Sequence, residues 1–146
     1  MQAMEISRTG LDVEWRRLDV IAENIANANS ADSKSVSFKP LTLVSGPKGG
    51  FAAQLDAAGR QKPVDVSNLS GVTVYAIEAG SAPPRMVYEP GNPNADEHGF
   101  VGYPAIDQSQ EMVRMIEASR AYEANIVAMN AEKEMYSKAL TLGERS

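Results

Sequence analysis

The sequence has 146 residues, 43% of them hydrophobic, and a net charge of -5, which predicts one or two small folded units and disfavours a general nucleic-acid binder. It contains no cysteine, so disulfides, thiolate metal sites and cysteine nucleophiles are excluded. Charged residues from Glu5 onward interrupt the apolar run that a cleaved signal peptide needs, and no stretch reaches the length of a membrane span.

An apolar stripe predicts an N-terminal helix over residues 4–28. Its members recur at helical steps of three, four and seven residues: Met4, Leu11, Trp15, Leu18, Ile21, Ala22 and Ile25. Gly10 interrupts the stripe at a cost of about 1 kcal/mol relative to alanine, so we expect a tight contact or a bend there. Arg16 is expected to pair with Asp12 one turn earlier. The helix should end near residues 27–29, because asparagine competes for the hydrogen bonds of the last turn.

A second helix is predicted after Pro104 and should end near Gly143. Asp107 and Gln110 match a capping box, in which each side chain bonds a free backbone N–H of the first turn. Apolar residues then follow at steps of three and four: Met112, Met115, Ile116, Tyr122, Ile126, Met129, Tyr136 and Leu140. This helix would contain about 35 residues and would measure about 50 Å at 1.5 Å per residue.

The two helices are predicted to pair as a coiled-coil-like domain, with methionines as adaptable filling between them. The N-terminal helix is too short to cover the whole of the longer one. Some apolar surface should therefore remain for another chain. An ordinary intramolecular helix pair is the alternative interpretation.

The middle of the chain predicts a small β-rich unit. Segments with strand character are separated by glycine and proline: VSFKPLTLV (36–44), GVTVYAIEA (71–79), PRMVYEPGNP (84–93) and GFVGYPAID (99–107). The proline inside the first segment places a break in it, at a sheet edge. We therefore predict an α+β chain with a terminal helical domain, residues 1–30 and 105–146, and a β-rich domain with its linker, residues 31–104.

Residues suited to catalysis are few. His98 is the only histidine and lies in a turn-rich segment beside Asp96 and Glu97, with Glu89 nearby in the sequence. A metal site or a general base needs further converging groups, so we interpret this cluster as an exposed turn. The SGPKGG segment (45–50) lacks the spacing of a phosphate-binding loop and favours a hairpin or loop. We expect no enzyme, no cofactor, no metal and no small-molecule substrate.

Two stretches carry a resemblance to a known family. The first is LDVIAENIANANS, residues 18–30, whose asparagine-containing end resembles an element of bacterial flagellar rod and hook proteins. The second begins YEPGNPNADEHGFVGYP at residue 88, continues through EMVRMIEASRAYEAN, and resembles FlgC, the family of proximal-rod subunits. Residues 31–71 resemble the family only loosely. Met4 stands where members commonly carry a phenylalanine near the chain start.

The resemblance implies a structural, self-associating subunit of the flagellar basal-body rod. Its terminal helices would pack with copies of itself and with other rod proteins around a hollow shaft in the periplasmic space. Further implied partners are the membrane-embedded ring or rod adapter and the type III export apparatus, which would export the chain without a cleaved signal peptide; nucleic acid is not among them. The expected interface residues are Leu11, Trp15, Leu18, Asn24, Ile25, Asn27, Met112, Ile116, Tyr122, Asn125, Ile126 and Met129.

Three alternatives remain open from the sequence. One is a soluble cytoplasmic adaptor that binds a single partner through a helical hairpin. Another is a different rod or hook protein from a second flagellar system. The third is an enzyme built on the middle unit, which requires a concave pocket containing His98 or the adjacent carboxylates.

Overall fold

Two long helices flank two short antiparallel strand pairs. The computed structural model describes residues 2–31, 38–49 and 70–143. The elements follow in the order α1 (Gln2–Asn27), β1 (Leu41–Pro47), β2 (Val72–Ala79), β3 (Arg85–Tyr88), β4 (Phe100–Tyr103) and α2 (Gln108–Gly143). The α+β prediction is therefore confirmed. In the described part of the chain, no helix is both long enough and apolar enough to cross a membrane.

Helix α1 ends at Asn27, inside the predicted range. The Asn27 side-chain amide donates to the Glu23 carbonyl at 2.9 Å. The Ser30 backbone N–H and hydroxyl both donate to the Asn27 carbonyl, at 3.0 and 2.8 Å. The Ser30 bonds occupy a carbonyl group that the last helical turn leaves free, so the polar segment after α1 ends the helix.

Helix α2 begins with the predicted aspartate cap. The Asp107 carboxylate accepts hydrogen bonds from the backbone N–H of Ser109 at 2.9 Å and of Gln110 at 3.2 Å. The first helical bond runs from the Glu111 N–H to the Asp107 carbonyl at 3.0 Å. At 1.5 Å per residue, α2 measures about 54 Å and α1 about 39 Å, so α2 extends past its neighbour.

The strands form two separate two-stranded sheets, β1 with β2 and β3 with β4. The β1–β2 register is shifted between Val44 and Ser45, where a bulge interrupts the ladder. Strand β1 begins directly after Pro40, and Phe38 lies outside it, so the first predicted strand segment was wrong at its start. Proline has no N–H to donate, which explains why regular pairing starts after it. Residues 36 and 37 of that segment lie outside the described residues.

The hydrophobic core joins α1 to the β1–β2 pair. Val13, Val20 and Leu43 are buried, and Leu41 and Val72 pack against them. The two valines are absent from the predicted stripe, although its member Ile21 is equally buried, so the stripe omitted the side of α1 that meets the strands. Helix α1 contacts both α2 and the strand pair, and two neighbours require a wider apolar face than one stripe.

The two helices run antiparallel. Gly10 of α1 faces Asn125 of α2, where a Cβ atom on the glycine would come within 3.0 Å of the Asn125 side-chain amide. The Trp15 and Tyr122 rings pack with their centroids 6.2 Å apart. The close approach at Gly10 confirms the tight contact expected from its position in the helix.

Candidate subunit interface

A buried polar junction connects α1, β1 and α2. The Asn24 side chain is only 1% exposed. Its amide Nδ2 donates to the Leu41 carbonyl at 2.8 Å, and its Oδ1 accepts from the Leu41 N–H at 2.8 Å. The same Nδ2 donates to the Glu111 carboxylate at 3.3 Å. The amide therefore pairs with Leu41 as a neighbouring strand would, and it also ties the start of α2 to α1.

Glu111 closes this junction on the α2 side. Its side chain is buried, and its second oxygen accepts from the Arg114 guanidinium at 2.6 Å. Arg114 is itself largely exposed, so the pair connects the buried junction to solvent. Buried charged groups are tolerated when all their oxygens are bonded in this way.

The predicted interface residues divide into groups by exposure. Those exposed to solvent are Trp15, Met112 and Ile116. Those half-buried are Leu11, Leu18, Ile25, Asn27, Tyr122, Asn125, Ile126 and Met129. Asn24 is buried within the chain and contacts Leu41 and Glu111. Within a single subunit the structure thus brings Trp15 to Tyr122, and it places Asn125 against Gly10.

Apolar side chains surround α2 instead of forming one stripe. Ala118 is buried, and Val127, nine residues later, lies on the opposite side of the helix because successive residues turn by about 100°. Val127 is 67% exposed, and Ile116 is 55% exposed on the same outer side. A helix that is apolar on all sides normally has neighbours on all sides. Among the described elements, only α1 packs against α2, and it covers one side.

The C-terminal part of α2 extends beyond the start of α1. The first turn of α1 reaches α2 at a small cavity of about 340 Å³ lined by Met4, Glu132 and Tyr136, among others. From residue 133 onward every described residue of α2 is exposed, including Met135 and Leu140, although Met135 and Ala139 also line this cavity. This last part of α2 therefore meets α1 only at the first turn of that helix.

The turn that contains His98 is held by hydrogen bonds to the Asp96 carboxylate. The Asp96 carboxylate accepts from the backbone N–H of His98 at 2.9 Å and of Phe100 at 2.8 Å. The bond from Phe100, followed by that from His98, lowers the pKa of Asp96 from its usual value despite opposing desolvation. His98 and Glu97 are exposed beside it. Within the described ranges, no three histidine, aspartate or glutamate side chains are placed to hold a metal ion.

Sequence reasoning missed several residues at these surfaces. Val13 and Val20 are seven residues apart, the same spacing that defined the predicted stripe, so a second heptad line would have found them. Val113 and Val127 were missed because the predicted stripe of α2 was assumed to be a single line, although its member Ile116 lies on the same outer side as Val127. Both valines would have been found by listing the apolar positions of α2 that the shorter helix α1 cannot cover.

Comparisons with known proteins agree with the predicted resemblance. Residues 97–142 match the family model described as flagellar basal body rod FlgEFG protein C-terminal. The chain is 37% identical to the flagellar basal-body rod protein FlgC of Salmonella typhimurium over 147 residues, covering 99% of this chain and 98% of that protein. It is 33% identical to FlgC of Bacillus subtilis over 150 residues, with 97% of each chain covered. FlgC of Aquifex aeolicus is 36% identical over 140 residues, with 93% and 91% covered. The chain therefore belongs to the FlgC family of flagellar basal-body rod proteins and is a structural rod subunit.

Proposed function

We propose that this chain is a self-associating subunit of the proximal rod, which packs with copies of itself and with other rod proteins through its terminal helices. In the assembled rod the helices would line a hollow shaft. The chain would carry no catalytic activity and would bind no cofactor. The observation that carries the proposal is the apolar surface of α2 that α1 leaves exposed, in a chain of the FlgC family.

The exposed surface fits a helix that completes its core on assembly. Val113, Ile116 and Val127 are each more than half exposed and lie on the side of α2 away from α1. Large apolar side chains that recur on one helix face mark interaction surfaces on soluble proteins. Their burial between subunits would offset the loss of side-chain entropy on assembly.

The location and the partners follow from the same proposal. The chain would reach the periplasmic part of the rod through the flagellar type III export apparatus, without a cleaved signal peptide. The membrane-embedded ring or rod adapter would be its neighbour at the base of the rod. The exposed interface residues Trp15, Met112 and Ile116 would contact neighbouring subunits directly. The half-buried ones would set the shape of the helix pair that the neighbours recognise.

The test is Ile116→Asp expressed as the sole copy in the native host. Ile116 is 55% exposed, so the substitution should leave the subunit folded and should place a charge in the subunit contact. We expect loss of swimming in soft agar and loss of rods from purified basal bodies. Far-UV circular dichroism of the purified variant would verify that its helices form.

The matched control is Ala79→Asp, which introduces the same side chain at an exposed position in β2, outside both terminal helices. This variant should swim and should assemble rods at the normal level. Normal rods from the Ile116→Asp variant would contradict the proposal. Loss of rods from both variants would show that charge alone, and not its place on α2, blocks assembly.

A further inference from the structure

A groove with basic side chains lies between α1 and the β1–β2 pair. It has a volume of about 680 Å³, and its described lining comes from α1, the turn after β1, and β2, with no contribution from α2. Val13, Val72 and Val74 supply an apolar floor, and Trp15 stands at its edge. Because Trp15 also packs on Tyr122 of α2, the groove adjoins the helix pair along one edge.

Some charged side chains along this groove form ion pairs with described residues, and others do not. Arg8 pairs with Glu5 at 2.6 Å and with Asp12 at 3.3 Å. The expected pairing of Arg16 with Asp12 was therefore wrong, because Arg8 lies one turn before Asp12 and takes its carboxylate. Among the described residues, Arg16 makes no ion pair, and the same holds for Lys48 across the groove.

The charge of Lys48 acts on Glu5, which lies beside the groove and pairs with Arg8. The Arg8 guanidinium, chiefly through its hydrogen bond, and the Lys48 ammonium both hold the pKa of Glu5 below its usual value, against a desolvation effect that raises it. The whole chain carries a net charge of -5, whereas this groove carries two cations without an ion pair to a described residue. The groove is therefore more positive than the chain as a whole. Such a site favours an acidic partner surface with apolar residues.

The outer side of α2 carries a surface of that kind. Ile116, Glu123, Val127 and Glu134 follow each other at steps of seven, four and seven residues, which places them on one helix face. All four are exposed, and the two glutamates form no ion pair with a described residue. We call these four residues the outer stripe. Its alternation of apolar and acidic side chains matches the valine floor and cationic edges of the groove.

We infer that the outer stripe of α2 from one subunit docks in the basic groove of a second copy of this chain. This inference rests on the proposed function and specifies which two surfaces meet. The stripe and the groove lie on different elements, so the contact joins unlike surfaces and repeats head to tail from copy to copy. Glu123 and Glu134 would then approach Arg16 and Lys48, while Ile116 and Val127 cover the valine floor.

Charge exchange tests this contact in the native host. The groove variant is Arg16→Glu with Lys48→Glu, and the stripe variant is Glu123→Lys with Glu134→Lys. Like charges placed opposite each other repel, so each double variant should yield about tenfold fewer rods per cell. The quadruple variant restores opposite charges and should recover most of that loss. Glu78→Lys is the control, because it reverses an exposed acid in β2, outside the stripe, and should assemble normally.

The outcomes separate this inference from the proposed function. Normal assembly of either double variant, with loss of rods from Ile116→Asp, would overturn the docking inference and leave the rod function standing. Loss of rods in both double variants, without recovery in the quadruple variant, would also overturn the docking inference. The groove and the stripe would then each contact another rod protein. Normal assembly of Ile116→Asp itself would contradict the proposed function.

A second measurement uses the lack of native cysteine. Lys48→Cys and Glu123→Cys are placed on two separately tagged copies that are expressed together, and rods are isolated and oxidised. We expect a disulfide-linked species containing both tags, and none when Glu78→Cys replaces Glu123→Cys. Equal cross-linking of both pairs would overturn the assigned contact.

Discussion

Helix α2 has two parts that differ in how they are stabilised. From Gln108 to about Glu132 it packs on α1, with Ala118 buried, Tyr122 against an indole ring and Glu111 in the polar junction. From residue 133 onward the described residues are all exposed, although the apolar content continues. One continuous helix thus combines a part with one side packed within the subunit and a projecting part, from residue 133 onward, whose described residues are exposed on all sides.

The difference separates residues that hold the subunit together from residues available to neighbours. A substitution on the packed side of the first part, which faces α1, should change the free energy of unfolding of the isolated subunit. A substitution in the projecting part should leave that free energy almost unchanged and should act on assembly.

Asn24→Ala should give the largest loss of subunit stability. The variant leaves the N–H and carbonyl of Leu41 without their side-chain partner and removes a donor from the buried Glu111 carboxylate. Each unsatisfied buried group costs about 1–3 kcal/mol, so we expect the free energy of unfolding to fall by about 3 kcal/mol. Urea unfolding followed by far-UV circular dichroism measures it.

Asn27→Ala is the matched control from the same asparagine-rich segment. Asn27 bonds only the Glu23 carbonyl at the helix end, so its loss should cost less than about 1 kcal/mol. Equal stability of the two alanine variants would contradict the role of the polar junction.

Gly10→Leu should destabilise the helix pair by about 2 kcal/mol. Even a Cβ atom at this position meets the Asn125 amide at 3.0 Å, and a larger side chain would force the helices apart. Thermal unfolding of the purified subunit measures the effect. Ala26→Leu is the control, because it enlarges an exposed position of α1 and should change stability by less than about 0.5 kcal/mol. An unchanged unfolding temperature for Gly10→Leu would show that the helices separate without cost.

Replacing one apolar residue by glutamine in each part of α2 compares the two parts directly. Tyr122→Gln removes a ring that packs on Trp15 and should lower the free energy of unfolding by about 2 kcal/mol. Leu140→Gln changes an exposed residue in the projecting part and should alter that free energy by less than about 0.5 kcal/mol. Rod yield should nevertheless fall for Leu140→Gln. A stable Leu140→Gln subunit that also assembles normally would show that the projecting part is dispensable.

The helices were predictable from the sequence because their signals are local. Asp107 caps α2, the asparagines end α1, and Gly10 marks a close contact, each within a few residues of its effect. The fold class followed from the same patterns. The strands of β2, β3 and β4 were also found, since valine and aromatic residues alternate there between glycine and proline.

Contacts across the chain were less predictable. The sequence could not show that the Asn24 amide bonds a backbone seventeen residues away, or that Glu111 closes the same junction. It could not show which side of α1 faces the strand pair, because both sides carry apolar residues. The division into a helical and a β-rich domain stays a prediction, although the core residues Val20 and Leu43 come from both predicted units.

Acidification should produce the smallest and most local effect, at the turn before β4. The folded-state pKa of Asp96 lies below its usual value, because the backbone N–H groups of Phe100 and His98 donate to the carboxylate. A lowered pKa means that the ionised carboxylate stabilises the turn above the unfolded-state value of about 3.9, and that this contribution is lost as the pH falls through the lower folded-state value. Asp96→Asn should remove the pH-dependent contribution.

The measurement is NMR amide hydrogen exchange of Phe100 and His98 in the purified subunit. Protection at these two amides, corrected for the intrinsic effect of pH, should decrease below about pH 4 in the natural chain and should lack that step in Asp96→Asn. Amides in the middle of α1 are the internal reference, since they are far from the turn and belong to the paired helices. If protection is lost at the turn and in α1 at the same pH, the loss at the turn would reflect unfolding of the whole subunit. A loss of protection confined to the turn would show that the β3–β4 pair opens independently of the two helices and at a lower free-energy cost.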